Sequence, residues 1–390
     1  MYILNAQKPV TLPNGNQMKK HTIFISLLIL TLSNSASKTH AQSRQALKYS
    51  NEFLSLGVGA RNVAMGNAVV ASIDDATSTF YNPAGLASNY NDRQLVVMYN
   101  NHFSGLASHQ FGSLAVKINT QNAYAVSFVR FGVDNIPNTI NIIDRVGRVD
   151  YSKLGRFSVA DYAGMVSYGR QTRDQSFKFG VNTKVIRRIV GKFAQSWGFG
   201  FDVGLQRHIK KWHFGLMVKD ITTTFNVWNY DLEKFREGLL IANNDIPLQA
   251  FEYTKPKFIL GIGKEIQIKD RTSLLLETNF AINTDGARNT AFRFNNTSID
   301  PTVGIEFDFA KKLFVRGGIS NIQQTFLMDS TRSNWVFQPS AGVGFNLKNL
   351  TFDYAINIGT ASDAYYSNII SMKLDFNRSK SRKKQGKLVR

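Results

Sequence analysis

The sequence predicts an all-β protein, a 14-stranded antiparallel transmembrane β-barrel, and three features predict it. They are strict two-residue alternation in segments of about ten residues, connections that alternate between short and long, and an export leader at the N-terminus. No later stretch of the chain is apolar for the roughly twenty residues that a membrane-spanning helix requires.

Alternation is clearest in Trp197 to Gln206, where Trp197, Phe199, Phe201, Val203 and Leu205 oppose Gly198, Gly200, Asp202, Gly204 and Gln206. It recurs in Val303 to Phe309 and in Leu350 to Ile358, each with aromatic and aliphatic residues on one face and Gly, Asp, Glu, Thr or Asn on the other. Successive side chains of a strand point to opposite faces, so a face that is wholly apolar beside one that is small or charged fits a wall with lipid outside. On this basis strands fall near 94–100, 109–118, 123–133, 161–171, 177–188, 195–208, 212–223, 257–268, 272–282, 301–310, 312–320, 336–348, 350–358 and 367–377. Short connections follow the even-numbered strands, as at Ile209-Lys210-Lys211 and Lys269-Asp270-Arg271. Long ones, 134–160, 224–256, 283–300 and 321–335, follow the odd-numbered strands. That parity suits a barrel whose two ends are both periplasmic, in the outer membrane.

The leader comprises the basic Met18-Lys19-Lys20-His21, the apolar Thr22 to Leu32 and a polar stretch ending at Ala41, after which cleavage is expected. Met18 is a candidate for the true start. The predicted organisation is a signal-peptide region at 1–41, a segment at 42–93 that does not read as membrane strand, a barrel at 94–377 and a basic periplasmic tail at 378–390.

Aromatic residues make up 12% of the chain, Gly numbers 29 and Pro only 8, which suits long strands with an apolar outer face. The absence of Cys removes disulfides, thiol nucleophiles and thiolate metal sites. The formal net charge of +20 is scattered apart from Lys380 to Lys387, and no nucleic-acid-binding module accompanies it, so nucleic acid is not an expected partner. Outer-membrane lipids are. Six histidines, at 21, 40, 102, 109, 208 and 213, supply no patterned third ligand or nucleophile. No catalytic residue, metal site or cofactor is assigned, and His102 and His109 are read as surface polar residues. Gly57-Val58-Gly59 lacks the further glycine and the βαβ context of a nucleotide loop. Asp74 and Asp75 read as solvated or helix-capping carboxylates.

The stretch LGVGARNVAMGNAVVASIDDATSTFYNPAGLA, at about 53–87, resembles the N-terminal signature of the PorV/PorQ family, a branch of the outer-membrane proteins similar to the fatty-acid transporter FadL. The residues that carry the resemblance are Gly57, Gly59, Ala60, Arg61, Gly66, Asp74, Asp75 and the turn Asn82, Pro83, Ala84 and Gly85. Asn67 and Phe80-Tyr81 depart mildly from it. The resemblance implies fourteen strands with an N-terminal hatch, or plug, in the lumen. It also implies a protein-interaction role beside the type IX secretion system, with a large translocon subunit or the C-terminal signal domain of secreted cargo as partner. In that reading the loop 224–256 makes the contacts through Phe225, Trp228, Tyr230, Phe235, Phe251 and Tyr253, whose aromatic rings amid charges suit protein recognition. The alternative is a FadL-like transporter of hydrophobic small molecules. The polar inward faces weigh modestly against it, because a transport site for an apolar ligand should be largely apolar.

Overall fold

The computed structural model describes residues 50–88, 92–139, 142, 147–231, 249–326, 333–359 and 366–377. The expected leader, the basic tail and Phe235 lie outside these residues.

All strands join one antiparallel sheet that closes on itself, because Arg93–His102 pairs both with Ala107–Lys117 and with the final strand Tyr366–Phe376. Among the described residues seventeen strand segments make fourteen wall strands. Trp212–Lys219 and Thr224–Tyr230 are two halves of the seventh strand, Gln249–Thr254 and Lys257–Lys269 are two halves of the eighth, and Phe292–Arg293 is a two-residue pairing in a connection. Closure leaves no unpaired edge, which is the condition for a sheet to sit in hydrocarbon. Among the described residues no helix is long and apolar enough to cross a membrane.

The alternation holds residue by residue. In Ala194–Ile209, Trp197, Phe199 and Val203 are exposed while Ser196, Asp202 and Gln206 are buried. Tyr124, Val126 and Phe128 project outward from Asn122–Asn138, as do Phe258, Leu260 and Ile262 from Lys257–Lys269.

Several strands run further than expected at the end with the longer connections. Asn122–Asn138, Gly155–Gln171, Leu313–Phe326 and Ser333–Leu347 take up much of what the sequence assigns to loops 134–160 and 321–335. Beyond the apolar band lipid no longer enforces alternation, yet the backbone ladder continues. Register shifts at Val133/Ile136 and Ser320/Gln323 mark such extensions. The parity of the connections survives with two exceptions, since the first and third odd-numbered strands turn through only 103–106 and 191–193.

The seventh strand is interrupted at 220–223, where Asp220 and Thr223 take positive φ angles of 56° and 61°. The bulge rotates Asp220 inward, and there Lys184 Nζ bridges Asp202 at 2.7 Å and Asp220 at 2.6 Å.

Candidate functional site in the barrel interior

Residues Ser50–Ser88 form short helical turns, Glu52–Ser55, Ala60–Ala64, Ser78–Tyr81 and Pro83–Ser88, joined by tight bends. Most residues of this segment are buried, the exceptions including the half-buried Leu56 and Arg61 and the exposed Ser55 and Asp74. Helices this short are unstable alone, so tertiary contacts must hold them. The contacts are with inward-facing side chains of the wall.

Arg61 on the helix Ala60–Ala64 donates through Nε and Nη2 to Glu306 at 2.8 and 3.0 Å. Glu306 also accepts from Arg316 Nε at 2.6 Å, and Arg316 Nη1 donates to Asp353 at 2.6 Å. Four charges thus alternate across three wall strands and the segment. Lys373 lies 3.4 Å from Asp75, whose Oδ1 also accepts from Thr77 N at 2.9 Å ahead of the helix Ser78–Tyr81. Burial alone would raise the Asp75 carboxyl, but Lys373, Arg61 and the two Thr77 hydrogen bonds together hold it below its ordinary value. Asp74 is exposed.

Carboxamides and carboxylates of the wall satisfy the segment's backbone. Glu277 accepts from Ala71 N at 2.7 Å and Gln94 from Ala76 N at 2.7 Å, while Asn182 donates to Thr79 O at 2.6 Å and Gln206 to Ile73 O at 3.0 Å. Asn82 donates to Val70 O at 3.0 Å and to Leu205 O at 3.2 Å, and its Oδ1 accepts from Ala84 N at 3.2 Å. Within the segment, Tyr81 Oη donates to Asn67 Oδ1 at 2.7 Å and accepts from Val58 N at 2.9 Å; burial raises its hydroxyl pKa.

Two inward glycines show how close the approach is. A Cβ on Gly318 would meet Gly66 Cα at 2.8 Å, and Gly66 itself has φ +62°, so both partners need to lack a side chain. A Cβ on Gly180 would run into the backbone of Pro83 and Ala84. The glycines at 57, 59, 66 and 85, Ala60, Arg61, Asp75, Asn82 and Pro83 are therefore brought together in one packed unit. The wall residues that hold the segment, Glu306, Lys373 and Gln206, and Arg316 behind Glu306, carry no local motif and escape sequence reading.

On the side of the longer connections a cavity of about 540 Å³ lies against the segment. Leu56, Val70, Phe80 and Tyr81 of the segment and Ile259 and Ala281 of the wall supply its apolar lining; the remaining lining is polar and includes the charged Glu52, Lys219, Lys257, Arg288 and Asp300. A neighbouring cavity of about 320 Å³ shares Leu56, Asn67 and Gln338 with it. Four of the six apolar lining residues belong to the segment, whereas the wall strands present polar inward side chains to the cavity, among them Lys257, Asn279, Asp300 and Thr302.

The predicted contact residues are strand residues. Phe225, Phe251 and Tyr253 project outward, with Phe225 opposite Tyr253 in register. Trp228 and Tyr230 face the other way, and Trp228 Nε1 donates to Glu252 at 2.7 Å. The expected loop is a wall extension over 224–230 and 249–254 because Thr224 and Asn226 alternate inward with these aromatics. His102 and His109 are likewise not surface residues. Both sit on the inward face of adjacent strands, buried, with rings 5.8 Å apart. Among the described residues no group of three or more His, Asp or Glu could hold a metal ion.

No family model matches the chain, and no curated protein matches it. Solved structures do. The toluene transporter TodX of Pseudomonas putida aligns at a TM-score of 0.55 and 12% identity over 82% of this chain and 98% of its own. The toluene transporter TbuX of Ralstonia pickettii aligns at 0.51 and 12%, over 82% and 99%. CymD, a monoaromatic hydrocarbon channel, aligns at 0.52 and 12%, over 82% and 98%. The chain thus has the architecture of an outer-membrane β-barrel, in the form that these hydrocarbon channels share. This corrects the PorV/PorQ assignment and the type IX secretion role drawn from it. The signature at 53–87 consists of residues that fit the segment to the wall, so it reports packing and does not specify a secretion partner.

Proposed function

We propose that the protein passes hydrophobic small molecules across the outer membrane, with Ser50–Ser88 acting as a plug that must shift for a solute to leave the interior. The observation that carries this reading is the cavity of about 540 Å³, in whose otherwise mostly polar lining Leu56, Val70, Phe80 and Tyr81 of the segment form an apolar patch. A solute resting there touches the part that would have to move. The fold shared with toluene transporters and a monoaromatic hydrocarbon channel supports the same class of solute. In this reading both chain ends lie on the periplasmic side, the cavity faces the exterior, and the protein is a channel, with no catalytic step.

Uptake of radiolabelled toluene into vesicles containing the purified protein tests the proposal, with glucose as the polar control. Toluene should enter faster than into empty vesicles, and Leu56→Arg, which puts a long cation into both cavities, should abolish the difference. Uptake equal to that of empty vesicles, or uptake insensitive to Leu56→Arg, overturns it.

A further inference from the structure

The outer wall at the short-turn end carries a second concave feature, independent of the interior. The strands Gly155–Gln171 and Phe177–Val190 flank a groove of about 510 Å³ whose floor is Tyr168, Phe179 and Val181 and whose rim includes Arg170 and Arg173. Phe179 and Val181 are 50% and 49% exposed and point away from the lumen. Arg170 stands opposite Phe179 in register, and Arg173 sits in the turn below.

Neither guanidinium has an ion-pair or hydrogen-bond partner among the described residues. Asp174, the carboxylate of that turn, is occupied by Ser176 Oγ at 2.7 Å. The depth of these arginines is gauged on the adjacent strand Ala194–Ile209, whose outward residues, between the exposed Gln195 and Ile209, are unbroken apolar from Trp197 to Leu205 and turn cationic at Arg207. The span from Trp197 to Arg207 is about 33 Å at ~3.3 Å per residue, and about 25 Å after a tilt of ~40°, which equals the apolar band of an outer-membrane barrel. Both ends of the span carry a cation on an aromatic ring, Arg187 on Trp197 at 4.6 Å and Arg207 on Phe177 at 4.5 Å. Arg170 is in register with Phe179 and Leu205, one outward position inside the boundary at Phe177 and Arg207, and Arg173 lies in the turn beyond it, so their long side chains extend from the edge of the apolar floor toward the lipid phosphates.

We propose that this groove binds an anionic glycerophospholipid, its phosphate held by Arg170 and Arg173 and an acyl chain laid over Phe179 and Val181. Arginine suits the task because its planar fork donates two parallel hydrogen bonds to a phosphate. Free phosphate would leave the floor uncovered, and a neutral amphiphile would leave the cations unpaired.

The full-length protein purified in mild detergent, supplemented with equal phosphatidylglycerol and phosphatidylcholine and read by native mass spectrometry, tests this. Wild-type protein should retain phosphatidylglycerol preferentially, by about tenfold or more, since each surface arginine favours an anionic lipid. R170A/R173A should lower that retention about thirtyfold, and R170K/R173K should restore part of it. Equal retention of the two lipids by wild-type protein, undiminished retention by R170A/R173A, or retention of lipopolysaccharide in their place overturns the proposal. The first comparison needs no variant, so a folding defect in the double substitution would not shield it.

Discussion

Arg61 and Glu306 stand 245 positions apart in the chain and meet in a two-pronged ion pair, with nitrogen-oxygen distances of 2.8 and 3.0 Å. Glu306 is shared with Arg316, so the N-terminal segment is tied into a charge chain that the wall already owns. Breaking a buried pair by removing one partner costs about 3–5 kcal/mol, because the remaining charge has lost its compensation. Arg61→Ala should fall at the lower end of that range, since Arg316 still neutralises Glu306. Thermal unfolding in detergent should show the loss. The same variant should expose residues 50–88 to protease before the wall strands unfold, and unchanged protease resistance would contradict this.

The packing of Gly318 against Gly66 yields a contrast between two identical substitutions. Gly318→Ala drives a methyl group into the backbone of the segment, an overpacking that costs about 1–3 kcal/mol. Gly164→Ala, at an outward position where a Cβ meets nothing within 4 Å, should leave stability unchanged. Denaturant midpoints of the two variants measured side by side check the difference, and equal midpoints would refute it.

Much of the wall is legible in the sequence because lipid enforces a two-residue period along Trp197 to Leu205 and its counterparts. Strand ends beyond the band are not, since Ile136 to Asn138 and Gln323 to Phe326 pair without that constraint. The interior is legible only halfway. Gly57, Gly66 and Asn82 announce tight bends, but the wall partners of the segment, Gly318, Glu306 and Gln206, lie far along the chain and look like ordinary inward positions. Gly180, Gly204, Gly304 and Gly318 on the inward faces are the available signal, because a lumen filled by side chains alone has no need of them. Polar inward faces argue against an apolar solute when read from sequence; some of those groups, Glu277, Gln94, Asn182 and Gln206, bind the segment's backbone, and the segment adds apolar surface of its own beside the polar residues that line the cavity.

Asp75 gives a pH dependence with a definite sign. Its folded-state pKa is held below its ordinary value, so the stability it contributes is present above about pH 4 and disappears as pH falls through the depressed value. Asp75→Asn should therefore lower the melting temperature at pH 7 and lose most of its effect near pH 2. A gap between wild-type and variant that is the same at both pH values would exclude the Lys373 and Thr77 contacts as its source.

Outward aromatics at different depths should tolerate charge differently. Phe201 lies midway along its strand between Trp197 and Arg207, whereas Phe251 belongs to the extension at 249–254. An arginine in lipid costs about 2–4 kcal/mol at the midplane and about 0–1 kcal/mol near an interface. Phe201→Arg should accordingly destabilise the barrel in vesicles by several times as much as Phe251→Arg, as read from urea unfolding. Similar costs at the two sites would place the extension inside the hydrocarbon.

Asn82 joins the two halves of the interior, since one carboxamide donates to Val70 O of the segment and Leu205 O of the wall and accepts from Ala84 N. Pro83, next to it, lies against the wall where Gly169 and Gly180 leave room for its carbonyl. Replacing the pair by alanines removes the hydrogen bonds of the Asn82 carboxamide and frees the φ angle that proline fixes, leaving buried carbonyls without a donor at about 1–3 kcal/mol each. The damage is local, because no wall strand depends on Asn82 for its ladder. Asn82→Ala combined with Pro83→Ala should therefore leave the barrel folded while loosening the segment, seen as raised conductance in planar bilayers and faster toluene entry into vesicles. Raised conductance with unaltered toluene entry would separate the water path from the solute path, and unchanged conductance with unchanged protease resistance would show that this turn does not hold the segment in place.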